Sequence, residues 1–299
     1  MEVWPHGNVG FAAVVGRPNV GKSTFINQVL KFRLAAVSSR PHTTRKRWLG
    51  IHSTDDAQVI FTDTPGIHES KNKMDEKMDK GIKDSIRDTD VIILICDALR
   101  EFGEEDNMAA ESVKNHSDAV ILVVNKIDEA TPEQIEEMKR QYKSVLGDVS
   151  TYEISALKDQ NVDELLSEVV ERLPKGPFLY SPDEVTTAFV RDIASEIIRE
   201  AVIEQMEKEL PHSTVVKIDK WDENDKKIKI HATVIVERKT QKAIVIGKNG
   251  DMINLIRKNA VEKLRDGLEK FIDLRLFVSV TPNWQNNKNF LREMGITDD

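Results

Sequence analysis

The chain has 299 residues, 39% of them hydrophobic and 31% charged, and a formal net charge of −8. That length allows about two domains, each with its own core. The negative balance excludes nucleic-acid binding by whole-molecule electrostatics, so any such contact needs a local basic patch.

The first apolar run, Phe11 to Val15, reads as a strand. It leads into Gly16-Arg17-Pro18-Asn19-Val20-Gly21-Lys22-Ser23, and a helical pattern follows to Leu30. A phosphate chain needs several backbone N–H donors close by, and Gly16 and Gly21 let the backbone approach. Lys22 supplies a point charge for β- and γ-phosphates, and the Ser23 hydroxyl suits magnesium. Arg40 to Arg47 is polar, basic and flanked by proline. A threonine hydroxyl there, Thr44 in preference to Thr43, would complete the magnesium shell while a γ-phosphate is present. Trp48 to Ser53 reads as an antiparallel edge strand. Gln58 to Thr62 is a strand that ends in Asp63-Thr64-Pro65-Gly66. The Asp63 carboxylate can hold magnesium through a water, and the Gly66 N–H can reach a γ-phosphate.

Helical stretches are expected near Met74 to Ile86, Asp106 to Lys114, Pro132 to Leu146 and Asn161 to Leu173. Strands are expected at Asp90 to Asp97, Ala119 to Asn125 and Ser150 to Ile154. The single cysteine, Cys96, lies inside an apolar run and reads as a small buried residue. Asn125-Lys126-Ile127-Asp128 closes one strand. The Asp128 carboxylate only accepts hydrogen bonds, which suits the adjacent N1–H and amine donors of guanine and rejects adenine. Ser155-Ala156 closes the last strand, with small residues that let backbone N–H groups approach the guanine O6. Apolar strands alternating with helices predict an α/β domain over residues 1–173, a mostly parallel sheet covered by helices.

Residues 174–182 hold three prolines and a glycine, so 174–187 is expected to be a linker. Residues 188–299 predict a smaller α+β domain. It would contain a helix over 188–209, a hairpin of Thr214 to Lys220 and Lys229 to Glu237 turning at Asp222 to Asp225, and a short helical turn at Ala243 to Ile246. Gly247-Lys248-Asn249-Gly250, a helix from Met252 to Leu268 and a strand from Asp273 to Val280 follow. Arg238, Lys239, Lys242 and Lys248 stand in a stretch free of acidic residues, the local patch that the global charge hides.

In order along the chain, Gly16 to Ser23, Pro41-His42-Thr43-Thr44-Arg45, Asp63 to His68, Asn125 to Asp128 and Ser155-Ala156 resemble the Era family of GTPases. Glu209 to His212, the Gly247 to Gly250 loop, Asn283 to Gln285 and Leu291 to Gly295 extend the resemblance over the whole chain. The resemblance implies a P-loop GTPase domain followed by a type II KH domain. It implies GTP and GDP bound by Gly16, Asn19, Gly21, Lys22, Ser23, Thr24, Asp63, Gly66, Asn125, Lys126, Asp128, Ser155 and Ala156. Magnesium would be held by Ser23, Thr44 and Asp63, and turnover would be served by Lys22, Asn19, Thr44 and Gly66. Ile67 stands where many GTPases carry a water-orienting glutamine, so slow hydrolysis is expected. Asn19 is similar to an asparagine that binds potassium in related hydrolases. The KH loop would clamp about four nucleotides, with Gly247, Lys248, Asn249, Gly250, Arg238, Lys242 and Trp284 on RNA. Asn254, Arg257, Ser279 and Gln285 depart from the family pattern. The implied partners are the 3′ region of 16S rRNA and the small ribosomal subunit. The implied setting is a monomer in the cytoplasm with peripheral contact to the inner membrane face; no apolar run approaches the roughly 18 residues of a span. The rival reading is a constitutive RNA-binding protein with a vestigial nucleotide domain.

Overall fold

Unbroken apolar runs form strands buried on both faces, and the first half of the chain is built on them. The computed structural model describes residues 4–32, 48–67, 72–206, 213–268 and 270–296. Two units part between Thr187 and Ala188. Thr43 and Thr44, Glu209 to His212 and the rest of the basic loop from Arg40 lie outside the described residues.

The first unit runs β1 (His6–Val15), α1 (Lys22–Leu30), β2 (Trp48–Ser53), β3 (Ala57–Asp63), α2 (Lys73–Arg87), β4 (Val91–Asp97), α3 (Glu104–Val113), β5 (Val120–Asn125), α4 (Pro132–Leu146), β6 (Ser150–Ile154), α5 (Val162–Arg172) and β7 (Lys175–Pro177). The sheet order is β2-β3-β1-β4-β5-β6. Only β2 among these pairs antiparallel, as expected for an edge strand. β3, β4 and β5 are buried at every position. Local chemistry sets the helix ends: Thr131 and Gln134 form a reciprocal cap around Pro132, and Gly147 at φ 82° stops α4. Because β1 lies between β3 and β4, the connections leave it in opposite directions. Ligands bind at such switch points, beyond the carboxyl ends of the strands.

The stretch expected as a linker lies along this sheet. β7 pairs antiparallel with His6 to Asn8. The Gln58 side chain accepts from the N–H groups of Leu179 and Tyr180 at 2.8 and 3.0 Å and donates to the Tyr180 carbonyl at 2.9 Å. Gln58 is fully buried and uses its oxygen and its nitrogen, so the segment satisfies a group that would otherwise be costly.

The second unit runs α6 (Val190–Gln205), β8 (Val215–Glu223), β9 (Lys227–Val236), α7 (Lys239–Ile246), α8 (Asp251–Leu268), β10 (Phe271–Val280) and α9 (Lys288–Glu293). Its sheet order is β10-β9-β8, with β9 parallel to β10 and antiparallel to β8. The hairpin turn is tighter than expected. Asp222 and Glu223 pair with Lys229 and Ile228 inside the ladder, and the Asn224 side chain accepts from the N–H groups of Lys226 and Lys227. An asparagine closing its own turn needs no acidic neighbours. α6 is buried from Ile193 to Ile203. It carries its charges inward by pairing Arg199 with Glu196 and Glu200 with Lys263.

Candidate nucleotide and nucleic-acid sites

Among the described residues, the nucleotide-site candidates of the first unit sit at the carboxyl edge of the sheet. Gly16 follows β1, Asp63 ends β3, Asn125 ends β5, and Ser155-Ala156 follows β6. The loop after β1 wraps closely. A Cβ at Gly66 would lie 2.6 Å from the Pro18 nitrogen, and one at Gly21 would lie 2.2 Å from the Asn125 amide nitrogen. Gly16 and Gly21 have φ of 150° and 103°, and Asn19 at φ 65° takes the left-handed conformation that asparagine tolerates. α1 starts from Gly21 with no side-chain cap and no acidic residue in its first turn. The helix dipole favours an anion at such an N-terminus.

Hydrogen bonds join the motifs. The Ile67 N–H donates to the Gly16 carbonyl at 3.1 Å. The Ser23 hydroxyl donates to Asp63 at 3.2 Å. Asn125 donates from its amide to the Val20 carbonyl at 2.7 Å and accepts from the Ala156 N–H at 2.9 Å. That last bond gives the Ala156 N–H, expected to face guanine, to the asparagine instead. Asp128 is exposed beside this frame. The Ile67 side chain is buried in the core cluster that holds Ile82 and Ile86, and an isoleucine has no polar atom with which to orient water.

Lys22 is buried and donates to the carbonyls of Gly16 and Arg17 at 3.0 and 2.8 Å. Burial lowers its pKa to about 8, with Asp63 and Glu105 opposing the shift. A bound phosphate would raise it again, so binding takes up a proton above that pH. Nucleotide affinity should hold below about pH 8 and fall roughly tenfold per unit above it. Titration with a fluorescent GDP from about pH 7 to about pH 9.5 checks this; a flat profile would mean that Lys22 keeps its proton throughout.

Two anchors escaped the sequence reading. Lys126 donates to Asp97 at 2.6 Å, and the other Asp97 oxygen accepts from the Leu99 N–H. Asp97 ends an apolar run at the same sheet edge as Asp63 and Asn125, which was the available signal. Arg17 pairs with buried Asp106 at 3.0 Å, and Tyr142 donates to the same carboxylate at 2.7 Å. These bonds tie the base of the phosphate loop to α3 and α4.

In the second unit, the loop between α7 and α8 presents Lys248 and Asn249 to solvent, with Asn249 left-handed at φ 55°. Gly247 and Gly250 have φ of 74° and 85°. Arg238 is exposed and Lys242 half-buried on the preceding helix. Apolar Ile244 and Leu255 flank the loop, 52% and 42% exposed. From Asn254 a groove of about 990 Å³ runs between α8 and β10, with Arg257 on its wall. Two of the positions that depart from the family pattern thus line the groove. Trp284 is a correction. It is fully buried and its indole donates to the Ser213 carbonyl at 3.1 Å, so its ring pins the core and is closed to RNA.

Comparison with known proteins follows the same division. Residues 11–126 match the family described as 50S ribosome-binding GTPase, and residues 209–285 match the KH domain. GTPase Era of Staphylococcus haemolyticus is 37% identical over 291 residues, covering 97% of each chain. A variant of Aquifex aeolicus Era bound to GDP·AlF4− superposes with a TM-score of 0.90 at 34% identity, over 97% of this chain and 99% of that one. An Era in complex with MgGDPNP and nucleotides 1506–1542 of 16S ribosomal RNA gives a TM-score of 0.91 at 34% identity, over 98% and 100%.

Proposed function

We propose that this chain, which belongs to the Era family of GTPases, is a GTP-driven switch that holds the 3′ region of 16S rRNA and serves small-subunit assembly. Residues 1–173 would form the nucleotide module, 174–187 the connection and 188–299 the RNA module. The observation that carries the nucleotide half is Asn125, which fixes the phosphate loop through Val20 and the 155–156 loop through Ala156. A vestigial nucleotide domain would have no need of that frame. The RNA target follows the 16S complex of the full-length relative in preference to the large-subunit wording of the family description.

Roles follow from placement. The Gly66 N–H and Lys22 meet the γ-phosphate, Lys126 and Asp128 the guanosine, and α1 the phosphates. Ser23 and Asp63 offer one hydroxyl and one carboxylate 3.2 Å apart, an oxygen set that fits magnesium, with Thr44 as a further ligand. When bound, the ion neutralises charge on the β- and γ-phosphates. With Ile67 turned into the core, no described side chain there orients water, and turnover rests on positioning. Asn19 would hold potassium against the phosphates. Gly247 to Gly250, Arg238 and Lys242 would take the RNA backbone. The chain would act as a monomer in the cytoplasm, with peripheral contact to the inner membrane face. Among the described residues no helix is long and apolar enough to cross a membrane.

Hydrolysis of GTP and ATP in potassium and in sodium salts, with and without the 1506–1542 RNA, tests this. Slow turnover selective for GTP and faster in potassium is expected, with the gain lost in Asn19→Ala. Equal turnover of ATP would sink the guanine reading, and equal rates in both salts would remove potassium.

A further inference from the structure

Asp97 and Lys126 meet in a way that the fold alone does not require. In the ladder between β4 and β5, Asp97 stands opposite Asn125, the residue before Lys126. The Asp97 side chain is only 2% exposed. The Leu99 N–H donates to one of its oxygens at 3.0 Å, and the Lys126 ammonium donates to the other at 2.6 Å. Arg100 comes to 3.8 Å from that second oxygen, too far for a hydrogen bond. Lys126 is also left-handed, at φ 68°. Among the described non-glycine residues with positive φ, only Lys31 and Lys126 are neither Asn nor Asp, whose short polar side chains ease that conformation.

Neither feature is an efficient way to stabilise a protein. A buried carboxylate gives up hydration that its partner's attraction barely returns, and apolar side chains of the same volume would serve a core as well. A left-handed lysine adds backbone strain. Strain held in place by its surroundings points to a constraint set by a site. Topology shows what is constrained. β4 lies between β1 and β5, and β5 lies between β4 and β6. The phosphate loop follows β1, Asp128 follows β5 and the 155–156 loop follows β6. With its backbone at the end of β5 and its ammonium at the end of β4, the Lys126 stem runs from the base side of the site toward the phosphate side. The side chain is 33% exposed, so part of this apolar stem stays open while its charge is tied down.

We propose that Asp97 is a positioning residue for the nucleotide: it tethers the Lys126 ammonium, so that the methylene stem lies as an apolar floor against the face of the base. The inference rests on the nucleotide reading above. Asp128 reads the edge of the base, and Asp97, through Lys126, sets the face. A free lysine would lose rotamer freedom on binding, and the tether removes that loss beforehand. A face contact ignores the exocyclic amine and the γ-phosphate, so the tether serves GDP, GTP and inosine diphosphate alike.

The test uses the full chain, a fluorescent GDP and competition by unlabelled GTP and inosine diphosphate. Asp97→Asn keeps the size and an acceptor for the Leu99 N–H, and turns an amide toward the ammonium. Lys126→Met keeps the stem and removes the ammonium, whereas Lys126→Arg can still reach Asp97. Asp97→Asn should weaken all three nucleotides by one factor, about ten- to 100-fold. KM for GTP should rise by the same factor with kcat held, the split expected when ground and transition states lose binding equally. Lys126→Met should weaken binding as well, and the double variant should be no weaker than the worse single one, because both changes remove one contact. Lys126→Arg should bind better than Lys126→Met. That comparison leaves Asp97 unchanged, so it decides the matter even where Asp97→Asn is too unstable to assay; equal affinities would refute the tether. If Asp97→Asn binds like wild type while Lys126→Met is weaker, or if the two factors multiply in the double variant, Asp97 does not act through Lys126 and the proposal is overturned. A loss confined to GDP and GTP, with inosine diphosphate spared, would move the contact to the edge and overturn it too. If Lys126→Met leaves every affinity unchanged, the base does not lie on Lys126, and the reading of that residue falls together with the tether.

Discussion

In Asp128→Asn, affinity for GTP is expected to fall by about a thousandfold while xanthosine triphosphate becomes the better ligand. The guanine edge offers two donors, N1–H and the exocyclic amine, and a carboxylate can accept both. The asparagine amide places its own donor against one of them, so a buried donor loses its partner, which is the costly kind of mismatch. Xanthine carries a carbonyl at that position and accepts from the new amide. The substitution should leave the fold alone. Asp128 is exposed, and its loop is fixed by backbone bonds from the Ile127 N–H to Ile154 and from the Glu129 N–H to Lys126. Surface changes of this kind stay within about 0.5 kcal/mol. Competition of labelled GTP with xanthosine, inosine and adenosine triphosphates measures the exchange. GTP binding unchanged in the mutant would place the guanine somewhere other than Asp128.

The sheet of the first unit was legible because its strands are unbroken apolar runs and its functional residues interrupt them at one end. Asp63 and Asn125 each close such a run, and topology carries both to the same edge as Gly16. Asp97 closes a run in the same way, yet it belongs to no short pattern, so its bond to Lys126 emerged only from the pairing of β4 with β5. Arg17 was hidden for a different reason. A charged residue in a glycine turn reads as solvent-facing, and nothing local tells that Asp106 and Tyr142 wait beneath it. The partners lie 89 and 125 positions away, and such contacts are set by packing alone.

The second unit shows the same limit at Trp284. An aromatic near a basic patch fits a stacking surface as well as a core, because an indole has both an apolar body and one donor. Its complete burial and its bond to the Ser213 carbonyl, 71 residues earlier in the chain, decide for the core.

Gly250→Asp is expected to lower affinity for the 1506–1542 RNA by at least about a hundredfold and to leave GTP binding unchanged. The two glycines of the loop serve different ends. A Cβ at Gly247 would lie 2.6 Å from the Met252 Cβ and 2.8 Å from its nitrogen, so a side chain there collides with the start of α8 and the fold itself would shift. At Gly250 the nearest atom is the Asn254 amide nitrogen at 3.8 Å. Space is open, and the remaining cost is backbone strain at φ 85°, about 1–2 kcal/mol for any L-residue. Gly250→Ala carries that strain without charge and is the control. Both variants should melt alike, whereas only the aspartate sets a carboxylate where Lys248 and the loop N–H groups would meet phosphate. Nucleotide binding is spared because Gly16 to Ser23 belong to the other unit. If Gly250→Asp folds like Gly250→Ala and still holds the RNA as tightly as wild type, the loop is a structural turn, and Arg238 and Lys242 would have to carry the contact.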